Sequence, residues 1–266
     1  MLDAQPLSAS LGAAIDGIQL TGCSNNEQMA SILAALDEYG VLQFRGQSLS
    51  AAALRDFTAE IGPLFRHHAD EGVLFADGIP EVLEMRKEPD GVRLFGGSDW
   101  HADVTFQPIR GYVSVLHALI IPPCGGDTAF ASTARALEAL SPAMRDMLRG
   151  LRAVHNYYGP TGESVEGLNA SHPVVYANPR TGRESIYLNR MFVTHFEGMT
   201  CEESRPLVDF LAKHITRPEF TCRVQWEEGQ VVMWDNFSTL HYPINDFTGQ
   251  RRLLIRCTAL EGQLAE

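Results

Sequence analysis

Nowhere does the chain carry the roughly 18 consecutive apolar residues that span a bilayer, and its first ten residues, MLDAQPLSAS, lack the basic segment and apolar run of an export signal. A membrane span and a secreted route are not expected; a cytoplasmic enzyme is. Cysteine is scarce. The five present (Cys23, Cys124, Cys201, Cys222 and Cys257) are odd in number and form no CxxC pair, which suits reduced thiols rather than a disulfide framework. Positive charge is short as well: 21 basic against 33 acidic residues leave a net charge of -12, repelled by phosphate backbones and anionic lipid. Nucleic acid and membrane are therefore not expected partners. Internal repeats and low-complexity tracts are also missing. What remains is 45% hydrophobic and 20% charged, ordinary for a globular protein, and 266 residues suffice for a substantial core. We read residues 1–266 as one domain.

Hydrophobic periodicity sketches the elements. A strand entering a turn is predicted over 11–20 and a helix over 25–39, where Met29, Ile32, Leu33, Leu36 and Tyr39 recur at helical spacing and Gly40 stops the run. GVLQFR (40–45) reads as a strand, and 48–61 as a second helix ended by Gly62 and Pro63. The charged, glycine-containing stretch 65–99 is read as carrying a lid. The β-branched apolar run GYVSVLHALIIP (111–122) predicts a central strand, and 132–148 a helix or a helix pair broken near Pro142. A hairpin is expected from HPVVYA (172–177) and SIYLN (185–189), and a helix within 196–216. Two extended segments turning at Glu228 and Gly229 and a last strand, RLLIRCTAL (252–260), complete a mainly β core decorated with helices.

The sharpest chemical signal is SDWHADVTF (98–106). In an extended chain alternate side chains share a face, so His101 and Asp103 can meet one ion while Ala102 points away. The third ligand must come from elsewhere, and His241 in WDNFSTLHYPIND (234–246) is available. Two imidazoles and one carboxylate on one face of an iron leave positions open for a chelating cosubstrate and dioxygen. An HxD pair alone occurs often by chance, so the order of motifs along the chain matters more.

That order resembles the taurine dioxygenase family, which also includes oxygenases that degrade phenoxyacetate herbicides. GAAIDGIQL, YGVLQFRGQ, FGG before WHADVTF, PPCGGDTAFAS, HPVVYANPRTGRESIYLN and WDNFSTLHYPINDFTGQRRLLIR follow one another as in that family; the region around 65–97 departs from the taurine enzyme. The resemblance implies a double-stranded β-helix, or jelly-roll, with Fe(II) held by His101, Asp103 and His241. It implies 2-oxoglutarate as cosubstrate, its distal carboxylate held by Arg252 and the Thr128 hydroxyl. Arg256 matches the position that grips the substrate sulfonate in the taurine enzyme, so it either binds an anionic head group or forms a salt bridge within the barrel. The expected reaction is oxidation, foremost hydroxylation, of a small organic substrate by dioxygen, releasing succinate and carbon dioxide. Desaturation or cyclisation at the same centre, a metal-dependent hydrolase and a non-catalytic binding protein are the alternatives, and self-association is left open. Gly97 stands where the taurine enzyme has asparagine; together with Phe95, Phe106 and Tyr112 this suggests a larger or partly apolar substrate. Trp100 and Trp234 are expected to brace the ligands, and His117, His155, His172, His195 and His214 to be structural.

Overall fold

The computed structural model describes residues 2–21, 26–67, 73–91, 97, 99–158 and 164–262. Cys23, Asn25, His68, Phe95 and Ser98 lie outside the described residues, as do parts of the expected lid. In chain order the elements are β1 (Ala4–Pro6), β2 (Ala13–Ile15), α1 (Asn26–Tyr39), β3 (Val41–Phe44), α2 (Ala51–Ala59), β4 (Val82–Lys87), β5 (Gly111–Ile120) and β6 (Thr128–Ser132). Then follow α3 (Thr133–Glu138), α4 (Pro142–Arg149), β7 (Arg152–Tyr158), β8 (Ser164–Pro173), β9 (Val175–Ala177), β10 (Glu184–Ile186), β11 (Val193–Phe196) and α5 (Cys201–Ile215). The chain ends with β12 (Thr221–Val224), β13 (Val231–Asp235), β14 (Thr239–Pro243) and β15 (Arg252–Leu260).

Local chemistry sets the boundaries. α1 buries Met29, Ile32, Ala35 and Leu36 and stops at Gly40, which adopts φ +70°, a conformation that side-chain-bearing residues resist. The Ser50 hydroxyl caps α2 by accepting from the Ala53 N–H. Around Pro142 the predicted helical stretch is a pair: Ser132 caps α3, Ser141 caps α4, and Pro142 occupies the first turn, where its missing N–H costs nothing. A capping box between Thr200 and Glu203 opens α5.

Seven strands form one sheet in the order β1-β2-β3-β13-β5-β15-β4, and three form another in the order β12-β6-β14. Between the sheets, Val41, Leu116, Val232, Trp234 and Leu254 of the first pack with Phe130, Cys222 and Val224 of the second. Alternate residues of the large sheet, among them Val113, Val115, Val231, Met233, Ile255 and Cys257, face outward and bury the apolar stripes of α1 and α2. Behind the small sheet, Ala131 and Leu240 pack with residues of α3, α5, β10 and β11. This is the expected jelly-roll with helices outside it.

Several expectations are refined. β12 and β13 do turn near Gly229, yet they do not pair; the chain crosses there from the small sheet to the large one. β9 and β10 form the expected hairpin, but His172 and Pro173 belong to β8. Within 65–99, Val82–Lys87 is an edge strand paired with β15. Four cysteines are free thiols, two of them exposed. Among the described residues no helix is long and apolar enough to cross a membrane.

Candidate active site

His101 and His241 are neighbours because each donates its backbone N–H to the other's carbonyl, at 3.0 and 2.8 Å. That two-bond bridge adds residue 101 to the edge of the small sheet beside β14 and sets the imidazole centroids 4.2 Å apart. Asp103, two residues on, brings its Oδ1 to 3.9 Å from His241 Nε2. All three side chains are buried, and one ligand atom from each lies within 4.8 Å of the others. Among the described residues they form the group able to hold a metal ion.

Their surroundings prepare them as ligands. His101 Nδ1 lies 2.9 Å from the Asp99 carbonyl. A carbonyl can only accept, so Nδ1 carries the proton and Nε2 keeps its lone pair for a metal. Burial depresses the pKa of both imidazoles, that of His241 well below the ordinary value, so both are neutral donors. For Asp103, burial opposes ionisation but is overcome: Arg256, whose Nη1 donates to Oδ1 at 2.5 Å, and the Ser114 hydroxyl, which donates to Oδ2 at 2.6 Å, hold the carboxyl well below its usual range. Asn236 accepts from the Asp103 N–H at 3.0 Å and from the Trp234 indole at 3.1 Å, and donates to Ser114 at 3.0 Å. Two neutral imidazoles and one carboxylate are the donor set of a non-heme Fe(II) centre.

Arg252, Leu254 and Arg256 alternate along β15, and both arginines are buried. The Arg252 guanidinium sits 5.8 Å from the Trp226 ring centroid and 5.6 Å from that of Phe247. Burial lowers its pKa to about 9 while Asp127 opposes the shift, so it remains a cation at neutral pH. Trp226 joins this arginine to Thr128, whose hydroxyl accepts the indole N–H at 3.0 Å. With that lone pair occupied, the Thr128 O–H is directed as a donor, the partner a carboxylate needs beside an arginine fork.

The bracing residues are only partly as expected. Trp234 lies 4.8 Å from the His241 ring, and Trp100 stacks on Tyr242 at 5.7 Å, beside both histidines in sequence. Gly97 does more than make room: with φ +122° its backbone lies against His101, and an added Cβ would stand 2.9 Å from Cε1. Tyr112 stacks on Phe237 in the outer core, so it does not shape a substrate space, whereas Phe106 packs with Phe65, Val104 and Phe192 beside the His101 ring. His214 bonds the Ala136 carbonyl and His195 the Thr194 hydroxyl, and His117 is buried in β5. Ser114 and Asn236 are central to Asp103. Ser114 carries no signal of this within an apolar run.

His155 and His172 are buried, and burial above all depresses their pKa values to about 3 and about 4. Neutral in the folded state yet protonated in the unfolded chain below about 6.5, they contribute stability that is present above that pH and is lost as pH falls toward 4. The urea midpoint is expected to drop between pH 7 and pH 5, by on the order of 1–2 kcal/mol of stability per histidine. His155→Phe should make the dependence shallower.

Comparison with known proteins gives the family. A jelly-roll with a buried His–Asp–His group and an adjacent buried arginine defines an iron-dependent oxygenase. Residues 3–258 match the family described as taurine catabolism dioxygenase TauD, TfdA family, and the chain belongs to that family. It is 36% identical to an alkylsulfatase of Acinetobacter baylyi, over 97% of this chain and 84% of that one. Identity is 32% to the alpha-ketoglutarate-dependent 2,4-dichlorophenoxyacetate dioxygenase of Cupriavidus pinatubonensis, over 97% of each. Among solved structures, a taurine dioxygenase from Burkholderia xenovorans superposes with a TM-score of 0.85 at 36% identity, covering 97% of this chain and 89% of that one. The protein is accordingly an Fe(II)- and 2-oxoglutarate-dependent dioxygenase.

Gly126 offers a test of whether Arg252 serves 2-oxoglutarate. At φ +75° it lies against Arg252, and an added Cβ would meet the guanidinium Nε at 3.1 Å and Phe247 at 3.2 Å. Gly126→Ala is expected to raise the KM for 2-oxoglutarate about tenfold by displacing Arg252, with Fe(II) affinity unchanged.

Proposed function

We propose that His101, Asp103 and His241 hold the Fe(II), that Arg252 and Thr128 hold the distal carboxylate of 2-oxoglutarate, and that Arg256 receives the anionic group of a small organic substrate that is hydroxylated. The observation that carries this reading is the convergence of the three buried ligand groups beside buried Arg256, with buried Arg252 four residues earlier on the same strand. When bound, Fe(II) and 2-oxoglutarate supply the activation of dioxygen, with release of succinate and carbon dioxide.

The chain's own residues do the rest. The Asp99 carbonyl keeps the His101 proton on Nδ1, and Ser114 with Arg256 keeps Asp103 ionised. Phe106, Phe192 and Phe65 line the His101 side with apolar surface that excludes water. Arg256 donates to Asp103 through Nη1, while its buried Nε has no partner among the described residues. Asp103 would hold the Fe(II) with the same carboxylate that pairs with Arg256, so in the loaded protein the Arg256 guanidinium would be less tightly held and able to turn toward a second anion.

An anionic head against an apolar wall matches the relatives named as an alkylsulfatase and a 2,4-dichlorophenoxyacetate dioxygenase. Sulfate esters, sulfonates and aryloxy carboxylates are therefore the first substrates to try, as molecules hydroxylated next to the heteroatom and then shedding a leaving group. We further propose that residues 1–266 act as one cytoplasmic domain, without nucleic acid or membrane, with parts of 65–99 outside β4 covering the site. The approach of Gly97 to His101 supports that cover.

Anaerobic reconstitution with Fe(II) and 2-oxoglutarate, then oxygen and a panel of these anions, tests the reading. Substrate-dependent oxygen consumption matched one to one by succinate is expected, with a carbonyl product and a released leaving group that together hold one oxygen more than the substrate. Loss of two hydrogens would redirect the reading to desaturation or ring closure. Turnover without oxygen would indicate a hydrolase, and binding without turnover a non-catalytic protein.

A further inference from the structure

The residue after Asp103 is held in an unfavourable conformation. Val104 has φ +49°, and only it and Asp77 among the described non-glycine residues have positive φ. A β-branched side chain resists this left-handed region, so the neighbouring structure must impose it. The restraint converges on Thr105, which is 1% exposed. Its hydroxyl lies 2.9 Å from His155 Nδ1 and accepts from Asn189 Nδ2 at 3.2 Å. Its carbonyl accepts from His172 Nε2 at 2.9 Å, and the same ring nitrogen reaches the Gln107 carbonyl at 3.1 Å. On the near side of the turn, Gly111 lets the Asp103 carbonyl and the Val104 side chain approach closely: an added Cβ would stand 2.9 Å from that oxygen and 2.7 Å from Val104 Cγ2.

The network also reaches the other ligand on this segment. Asn189 accepts the Phe192 N–H at 2.9 Å, and the Phe192 ring stands edge-on to His101, with centroids 6.0 Å apart. Stability alone does not account for these residue types. His155 Nε2 is buried with no partner among the described residues, a cost that an apolar residue of similar size would avoid.

We propose that Thr105, His155, His172 and Asn189 form a positioning device for the metal centre. By pinning the left-handed turn at Val104 they fix the direction in which Asp103 presents its carboxylate, and through Phe192 they fix the plane of the His101 ring. The inference rests on His101, Asp103 and His241 being the metal ligands. These four residues are positioning residues, acting through the ligands without touching the ion.

The test titrates Mn(II) alone, well below the melting temperature, into wild type, Thr105→Val, Thr105→Ser, His155→Phe, His155→Gln and, as a control, Asp103→Asn. Thr105→Val and His155→Phe, which keep shape but lose the hydrogen bonds, are expected to weaken Mn(II) binding roughly 10–100-fold and to alter the visible spectrum of the Co(II)-loaded protein. Thr105→Ser and His155→Gln, which keep a polar partner, should recover most of the affinity. If Thr105→Val or His155→Phe folds with a lower melting temperature yet binds Mn(II) within about twofold of wild type, with an unchanged Co(II) spectrum, the network is merely structural and the proposal is overturned. Should the larger changes prevent folding, Asn189→Asp, which loses the donor to Thr105 but keeps the acceptor for the Phe192 N–H, decides the same question: weaker Mn(II) binding with an altered Co(II) spectrum supports the proposal, and both unchanged overturn it. Asp103→Asn binding as tightly as wild type would instead remove the ligand assignment, and the inference with it.

Discussion

Asp103→Asn is expected to yield a folded protein that no longer retains Fe(II) and turns over at least about 1,000-fold more slowly, beyond the roughly 10–100-fold of a change outside the ligand set. Asparagine preserves the shape and can still accept from Ser114, so the loss isolates the charge. The same change strands Arg256. Its side chain is 11% exposed and that of Asp103 4%, and a buried cation deprived of its anion costs about 3–5 kcal/mol. The metal-free variant should therefore melt well below metal-free wild type, which thermal unfolding in chelator would read directly. Asp103→Asn with normal stability would mean that Arg256 finds another anion, and unchanged activity would remove Asp103 from the centre.

The second large effect belongs to Arg252. Arg252→Ala is expected to raise the KM for 2-oxoglutarate by about 100–1,000-fold while Mn(II) affinity stays within a few-fold. The magnitude corresponds to about 2.7–4 kcal/mol, the range for deleting one partner of a buried charge pair. Arg252→Lys should recover part of the loss: it restores the charge but not the planar fork, and Trp226 and Phe247 form walls shaped for a flat guanidinium. Steady-state kinetics with varied 2-oxoglutarate, alongside the Mn(II) titration, separates the cosubstrate end from the metal end. An equal loss of metal binding would show that Arg252 supports the whole barrel rather than the carboxylate.

How much of this was legible in the sequence depended on whether the signal was local. α1 and β5 were readable because each carries one period over many residues, and the stop at Gly40 is a local property. The pair His101 and Asp103 could be read from alternation, but their meeting with His241 required the resemblance, since no periodicity links residues so far apart. Others were not legible. β7 and β8 form a long hairpin, yet in the first half of β8 the two apolar residues, Val165 and Leu168, are three apart among exposed Ser164, Glu166 and Gly167, so there is no alternation to detect. β4 hid in a charged stretch for the opposite reason: edge strands carry charges that discourage further pairing.

At the site, the sequence located residues better than it located their partners. Arg256, four residues from Arg252, shares its side of an extended strand, yet its contact with Asp103 could be known only after the two sheets were closed over each other. Asn236 lies five residues before His241 in sequence, yet it holds the backbone of Asp103. Ser114 and the buried histidines follow the same rule: their roles are defined by elements distant in the chain, and nothing in their own neighbourhoods distinguishes them from core.

Anaerobic titration of Fe(II) into wild type and His241→Ala, followed by equilibrium dialysis, tests the central claim most directly, because His241 enters the site from the far end of the sequence. One tightly held ion per wild-type chain, and none retained by the variant at the same free concentration, is the predicted result. An ion bound equally well without that imidazole would contradict a centre built from His101, Asp103 and His241.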